Sequence, residues 1–134
     1  MATHTSTFAP AGNANLARLA LQADGAVCIA LGVGLLAGAA PVAELTGFPL
    51  AVPIVLGVGL IPYGIELFVL ARRRATRGTL LTIAALNIAW IVASALLLLT
   101  GLAALTTSGN WTVGIIALIV ADLAALQLYA ARRA

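Results

Sequence analysis

The sequence predicts an all-α polytopic membrane protein, four transmembrane helices forming a bundle. Three observations carry that prediction. Of 134 residues, 63% are hydrophobic and 8% charged, against about a quarter charged in soluble domains. The mean hydropathy is +1.13, and the apolar residues fall into four runs near the ~20 residues that a hydrocarbon layer demands of a helix. The seven basic residues, all arginines, stand at the ends of those runs.

Residues 1–14 are small, polar and turn-prone, without hydrophobic period, and read as a disordered N-terminal tail. The transmembrane domain then covers 15–134. Its first helix, about 16–40, is apolar apart from Arg18, Gln22 and Asp24 near its start. A leader ending at Ala37-Gly38-Ala39 fits a small-residue cleavage pattern, but the apolar run is too long for one and contains Asp24, so it reads as a retained helix. Pro41 to Pro49 reads as a short loop. The second helix, about 50–71, places Pro53 in its first turn and Pro62 inside, where a kink is expected beside Gly59 and Gly64. Beyond the arginine-rich loop, a third helix spans about 79–102, broken in polarity only by Asn87 and Ser94. After a turn over Leu105–Asn110 the fourth covers about 111–131.

Topology follows from the arginines. Arg18, Arg72, Arg73, Arg74, Arg77, Arg132 and Arg133 all fall on one side of a four-pass chain. By the positive-inside rule that side is the cytoplasm, which puts both termini inside a bacterial inner (plasma) membrane. The same arginines serve as headgroup anchors, so the net charge of +3 needs no nucleic-acid partner. An offset of about 62 or 63 residues brings Asp24 onto Asn87, Leu31 onto Ser94 and Gly47 onto Gly109, the pattern of two tandem helical hairpins related as parallel repeats.

Polar residues within the runs are the candidate site. Asp24, Glu66, Asn87 and Asp122 all lie in the arginine-side half of their helices. Helical spacing aligns Gly59, Pro62, Tyr63 and Glu66 in the second helix, Asn87, Trp90 and Ser94 in the third, and Trp111, Ile115, Leu118, Asp122 and Tyr129 in the fourth. Lipid satisfies none of these polar groups, so the faces are expected to converge on a cytoplasm-facing pocket of Asp24, Glu66, Asn87, Asp122, Tyr63 and Trp90. Such a pocket suits a proton, a cation or a polar headgroup; alternatively the same groups are hydrogen-bonded glue between helices. Ala26, Ala30, Gly34 and Gly38 repeat every four residues and form a helix-packing stripe.

Other chemistries have no residues to carry them. Cys28 is the one cysteine and His4 the one histidine, too few for a disulfide or a zinc site. There is no nucleophile with its base and no phosphate-cradling loop, so no catalytic residues, metal or cofactor are expected and the chain does not read as an enzyme.

Asp24-Gly25, Leu45-Thr46-Gly47-Phe48-Pro49, Asn87 with Trp90 and Ser94, and the Arg-terminated last helix resemble a group of small uncharacterised bacterial four-helix integral membrane proteins, over about residues 16–133. The resemblance implies a fold and no activity. Small multidrug-resistance transporters are similar in length and helix number, but their pattern has an essential Glu in the first helix where this chain has Asp24, and the surrounding motif is missing. The expected function is that of an accessory, scaffold or interaction protein, with the lipid bilayer, a homo-oligomer or a membrane-protein partner as its contacts. The alternative is a small proton-coupled transporter or ligand-binding protein using the acidic pocket.

Overall fold

In the computed structural model the chain folds into five helices: α1 (Ala2–Ala37), α2 (Ala39–Thr46), α3 (Ala51–Arg73), α4 (Arg77–Thr100) and α5 (Thr107–Arg133), with no strand among the described residues. The structure describes residues 2–102 and 104–133, with side chains over 15–102 and 104–133. Residues 2–14, expected as a disordered tail, instead form the first part of helix α1, and their side chains lie outside those described.

Four stretches are long and apolar enough to cross a membrane: Asn15–Ala37, Ala51–Arg73, Arg77–Thr100 and Thr107–Arg133. No more than a third of each is buried within the chain. What remains outside is aliphatic, with Val55 at 67% and Leu99 at 84% exposure. Large apolar surfaces of that extent are incompatible with water and suited to lipid. The chain is a multi-pass membrane protein built as a helical bundle.

Element ends differ from expectation for identifiable reasons. The loop expected over Pro41–Pro49 is mostly helix, because Pro41 stands in the first turn of α2, where a helix start leaves N–H groups unpaired anyway. Gly38 separates α1 from α2, and Gly47, at φ 85°, ends α2 with its N–H on the Ala43 carbonyl. Pro62 lies inside α3, which continues through it. α4 begins two residues early because Thr76 caps it, its Oγ1 accepting from the Thr79 N–H at 3.3 Å. Thr76→Ala should lower stability by about 1 kcal/mol, read from reversible unfolding in mixed micelles. α5 also starts early: Thr106 Oγ1 accepts from the Gly109 N–H at 3.0 Å and donates to the Leu45 carbonyl, while the Thr106 N–H donates to the Thr46 carbonyl at 3.1 Å. These bonds lock the end of α2 to the start of α5.

α1 packs most extensively on α3, α4 on α5, and the two pairs meet mainly through α1 and α5. Glycines set the first pairing. A Cβ on Gly25 would lie 2.9 Å from the Gly64 carbonyl, and one on Gly57 2.8 Å from the Gly32 carbonyl. Position 25 thus meets 64 and position 32 meets 57, the falling register of antiparallel helices in backbone contact. The expected stripe lies elsewhere. Ala26, Ala30 and Gly34 face outward, the space beside Gly34 is empty, and Gly38 sits at the α1–α2 bend with its N–H on the Gly34 carbonyl. A seven-residue glycine spacing, not the four-residue one, therefore marks the face of α1 that meets α3.

The core concentrates at the arginine end. Ala17, Ala20 and Leu21 of α1 pack with Leu67 and Ala71 of α3, Leu80 and Ile83 of α4, and Ala130 and Ala131 of α5. Alanines at these positions let the helices close tightly. The bundle is closed at that end and holds a cavity toward the other.

Candidate functional site

Asp24 is on the buried face of α1, Asn87 on that of α4 and Gln127 on that of α5; they are 1%, 7% and 0% exposed. Asn87 Nδ2 donates to Asp24 Oδ2 at 2.8 Å and to Gln127 Oε1 at 2.8 Å. Gln127 Nε2 donates to the same Asp24 Oδ2 at 2.6 Å, and Cys28 Sγ donates to Asp24 Oδ1 at 3.4 Å. Both amide hydrogens of Asn87 are thereby used, and the Asp24 carboxyl receives three donors from three helices. No arginine takes part. The ring ties the α1–α3 pair to the α4–α5 pair within the membrane-length stretches, at the level where the apolar core closes.

The expected pocket is not assembled as a whole. Asp24 and Asn87 are joined, and Tyr63 is half-buried against the adjacent core. Glu66 and Asp122 are exposed, on faces of α3 and α5 turned away from the ring. The aligned sets in those helices point outward together: Gly59 and Pro62 are exposed, as are Trp111, Ile115, Leu118 and Tyr129. The inward face of α5 is instead Leu123, Ala124, Gln127, Ala130 and Ala131. Gln127 went unnoticed in the sequence because, close to Arg132, it reads as an interfacial residue. Its signal was the run of small side chains at i−3, i+3 and i+4, which only a packed face requires.

All seven arginines are exposed, and the Arg133 guanidinium stands 5.1 Å from the centre of the Tyr129 ring. Among the described residues no three His, Cys, Asp or Glu side chains lie together as a metal site would require.

Between the helix pairs, away from the arginine end, lies a cavity of about 350 Å³. All five helices contribute to its wall, through Leu31, Thr46, Leu56, Trp90, Ser94 and Ile116 among others. Trp90 is half-buried, and its Nε1 is the one shielded side-chain polar atom without a hydrogen-bond partner among the described residues. The structure thus separates a closed polar ring from an apolar chamber, and Trp90 belongs to the chamber. The sequence matches no protein-family model and no curated protein, and no solved structure matches the fold.

Proposed function

We propose that the protein is a non-enzymatic accessory or scaffold protein of the bacterial inner membrane, with both termini cytoplasmic, acting through lateral contact between membrane helices. The observation that supports this reading is the division of the acids. Asp24 is satisfied inside the bundle, whereas Asp122 lies on the exposed face of α5 with Leu118 and Ile115. At 1.5 Å per residue it is roughly 15 Å along the helix from Arg132, where lipid offers it no partner. A second copy of the chain supplies one, and the outward Ala26, Ala30 and Gly34 give a neighbouring backbone room to approach. Transport through the acids draws no support from a carboxyl sealed by two amides and a thiol.

Energy transfer between labelled copies, diluted with lipid in liposomes, tests this. The parent should self-associate, and Asp122→Leu or Gly34→Leu should require roughly tenfold less lipid to dissociate. A parent that is monomeric at every dilution ends the scaffold reading. Proton uptake by the same liposomes should equal that of empty ones; uptake lost in Asp24→Asn would restore the transporter. For orientation, a reporter active only outside the cytoplasm and fused after Arg133 should stay silent.

A further inference from the structure

We infer that the chamber between the helix pairs is a binding site for a neutral lipophilic molecule bearing a carbonyl-type hydrogen-bond acceptor, received by Trp90. The volume of about 350 Å³ falls within the range of small-molecule sites, roughly 300 to 1,000 Å³. Its wall is almost wholly aliphatic and aromatic, so the body of the ligand is apolar.

Three hydroxyls and one indole N–H lie along the wall, those of Thr46, Ser94, Thr112 and Trp90. Thr46 Oγ1 already donates to the Val42 carbonyl at 2.6 Å, and Thr112 Oγ1 to the Ser108 carbonyl at 2.7 Å. These hydroxyl protons are committed to their own helices. The Ser94 hydroxyl can donate or accept and so demands neither kind of group, whereas Trp90 Nε1 has no partner among the described residues. An indole N–H shielded in hydrocarbon without an acceptor is left with an unmet hydrogen bond, and it can only donate. The missing group is therefore an acceptor. Nε1 is covered as the ring now lies, so the acceptor is met after rotation of the indole about χ2, a broad torsion for aromatic side chains.

Depth narrows the class further. Trp90 lies roughly 20 Å along α4 from Arg77 and about 15 Å from Thr100, close to the centre of a ~30 Å hydrocarbon layer. The ester carbonyls of phospholipids stay at the edges of that layer with their headgroups. An acceptor at the centre must ride on an uncharged molecule that partitions wholly into the bilayer, such as a quinone-like or aryl ketone.

The probe is 4-octylbenzophenone, whose carbonyl is both the acceptor and the photoreactive group, with 4-octyldiphenylmethane as the competitor that lacks the oxygen. The full chain in nanodiscs is irradiated with increasing probe, and labelled residues are mapped by mass spectrometry. Saturable labelling is expected on residues of the chamber wall, with unlabelled ketone competing roughly three- to tenfold better than the hydrocarbon. Trp90→Phe, which keeps the ring and removes the N–H, should erase that preference while leaving apolar filling intact. Equal competition by the two compounds in the unaltered protein would reduce the chamber to a slot for acyl chains and overturn the proposal. Labelling that never saturates and spreads over the lipid-facing belt would overturn it as well. Because the competition uses the unaltered protein, the test stands even if Trp90→Phe does not fold.

Discussion

Replacing Gly64 by Leu is expected to separate α1 from α3 and cost the fold about 3 kcal/mol or more, the upper part of the range for overpacked cores. The first added atom is already too close. A Cβ on Gly64 would lie 2.7 Å from the Gly25 carbonyl oxygen and 2.6 Å from Ile29 Cγ1. A flexible side chain could yield; a helical carbonyl moves only with its helix. The matching contact one heptad along, Gly32 against Gly57, resists a local tilt, so relief requires the two helices to part. Gly34→Leu and Gly59→Leu supply the contrast, since a Cβ at either meets nothing within 4 Å. They should change stability by less than about 0.5 kcal/mol. Reversible unfolding in mixed micelles, followed by tryptophan fluorescence, separates the cases. Equal stabilities for Gly64→Leu and Gly34→Leu would contradict the backbone contact described for α1 and α3.

These glycines also show which physics a single sequence exposes. Spans, their number and the position of the arginines were legible because hydrocarbon thickness imposes length and polarity on every helix separately. Facing was not. In water, polarity reports the outside of a helix; in lipid both sides of each span are apolar, and the inward face is marked by small residues and by a few polar ones. Alanine and glycine are abundant on every helix here, so Ala26-Ala30-Gly34 looked as eligible as Gly25-Gly32. Carboxylates misled in the same way. Asp24 and Asp122 are the same residue type in similar surroundings, yet one closes a hydrogen-bonded ring and the other is exposed. The deciding partner of Asp24, Gln127, is 103 positions away. No local pattern carries a pairing at that distance. The short helix α2 was missed for a local reason, the double meaning of proline, which ends a helix from inside and begins one from its first turn.

Asp24→Leu should destabilise the chain by about 2 to 4 kcal/mol. Asn87 loses the acceptor for one of its hydrogens, Gln127 Nε2 loses its partner, and Cys28 loses its own. An unmet buried donor costs ~1 to 3 kcal/mol in soluble proteins, but interhelical bonds in membranes average nearer ~0.6 kcal/mol, and three losses together give the intermediate figure. Asp24→Asn keeps one acceptor oxygen and should cost about 1 kcal/mol. Joining it with Asn87→Asp returns a carboxyl to the ring and should recover part of that loss, a coupling within the 0.5 to 3 kcal/mol found for residues in contact. The decisive variant removes all three groups at once. With Asp24, Asn87 and Gln127 all replaced by Leu the one ring donor left without its acceptor is the weak Cys28 S–H, so stability should return to within about 1 kcal/mol of the parent, as when buried polar sets give way to apolar packing. What should not return is alignment. Apolar faces slide past one another at little cost, whereas the ring admits one register of α1 against α4 and α5. Cysteine pairs placed across α1 and α5, in a chain with Cys28→Ala, should crosslink at one position in the parent and at several in the triple variant. A triple variant as unstable as Asp24→Leu would mean that the ring supplies net stability; one that crosslinks at a single position would mean that side-chain packing alone sets the register.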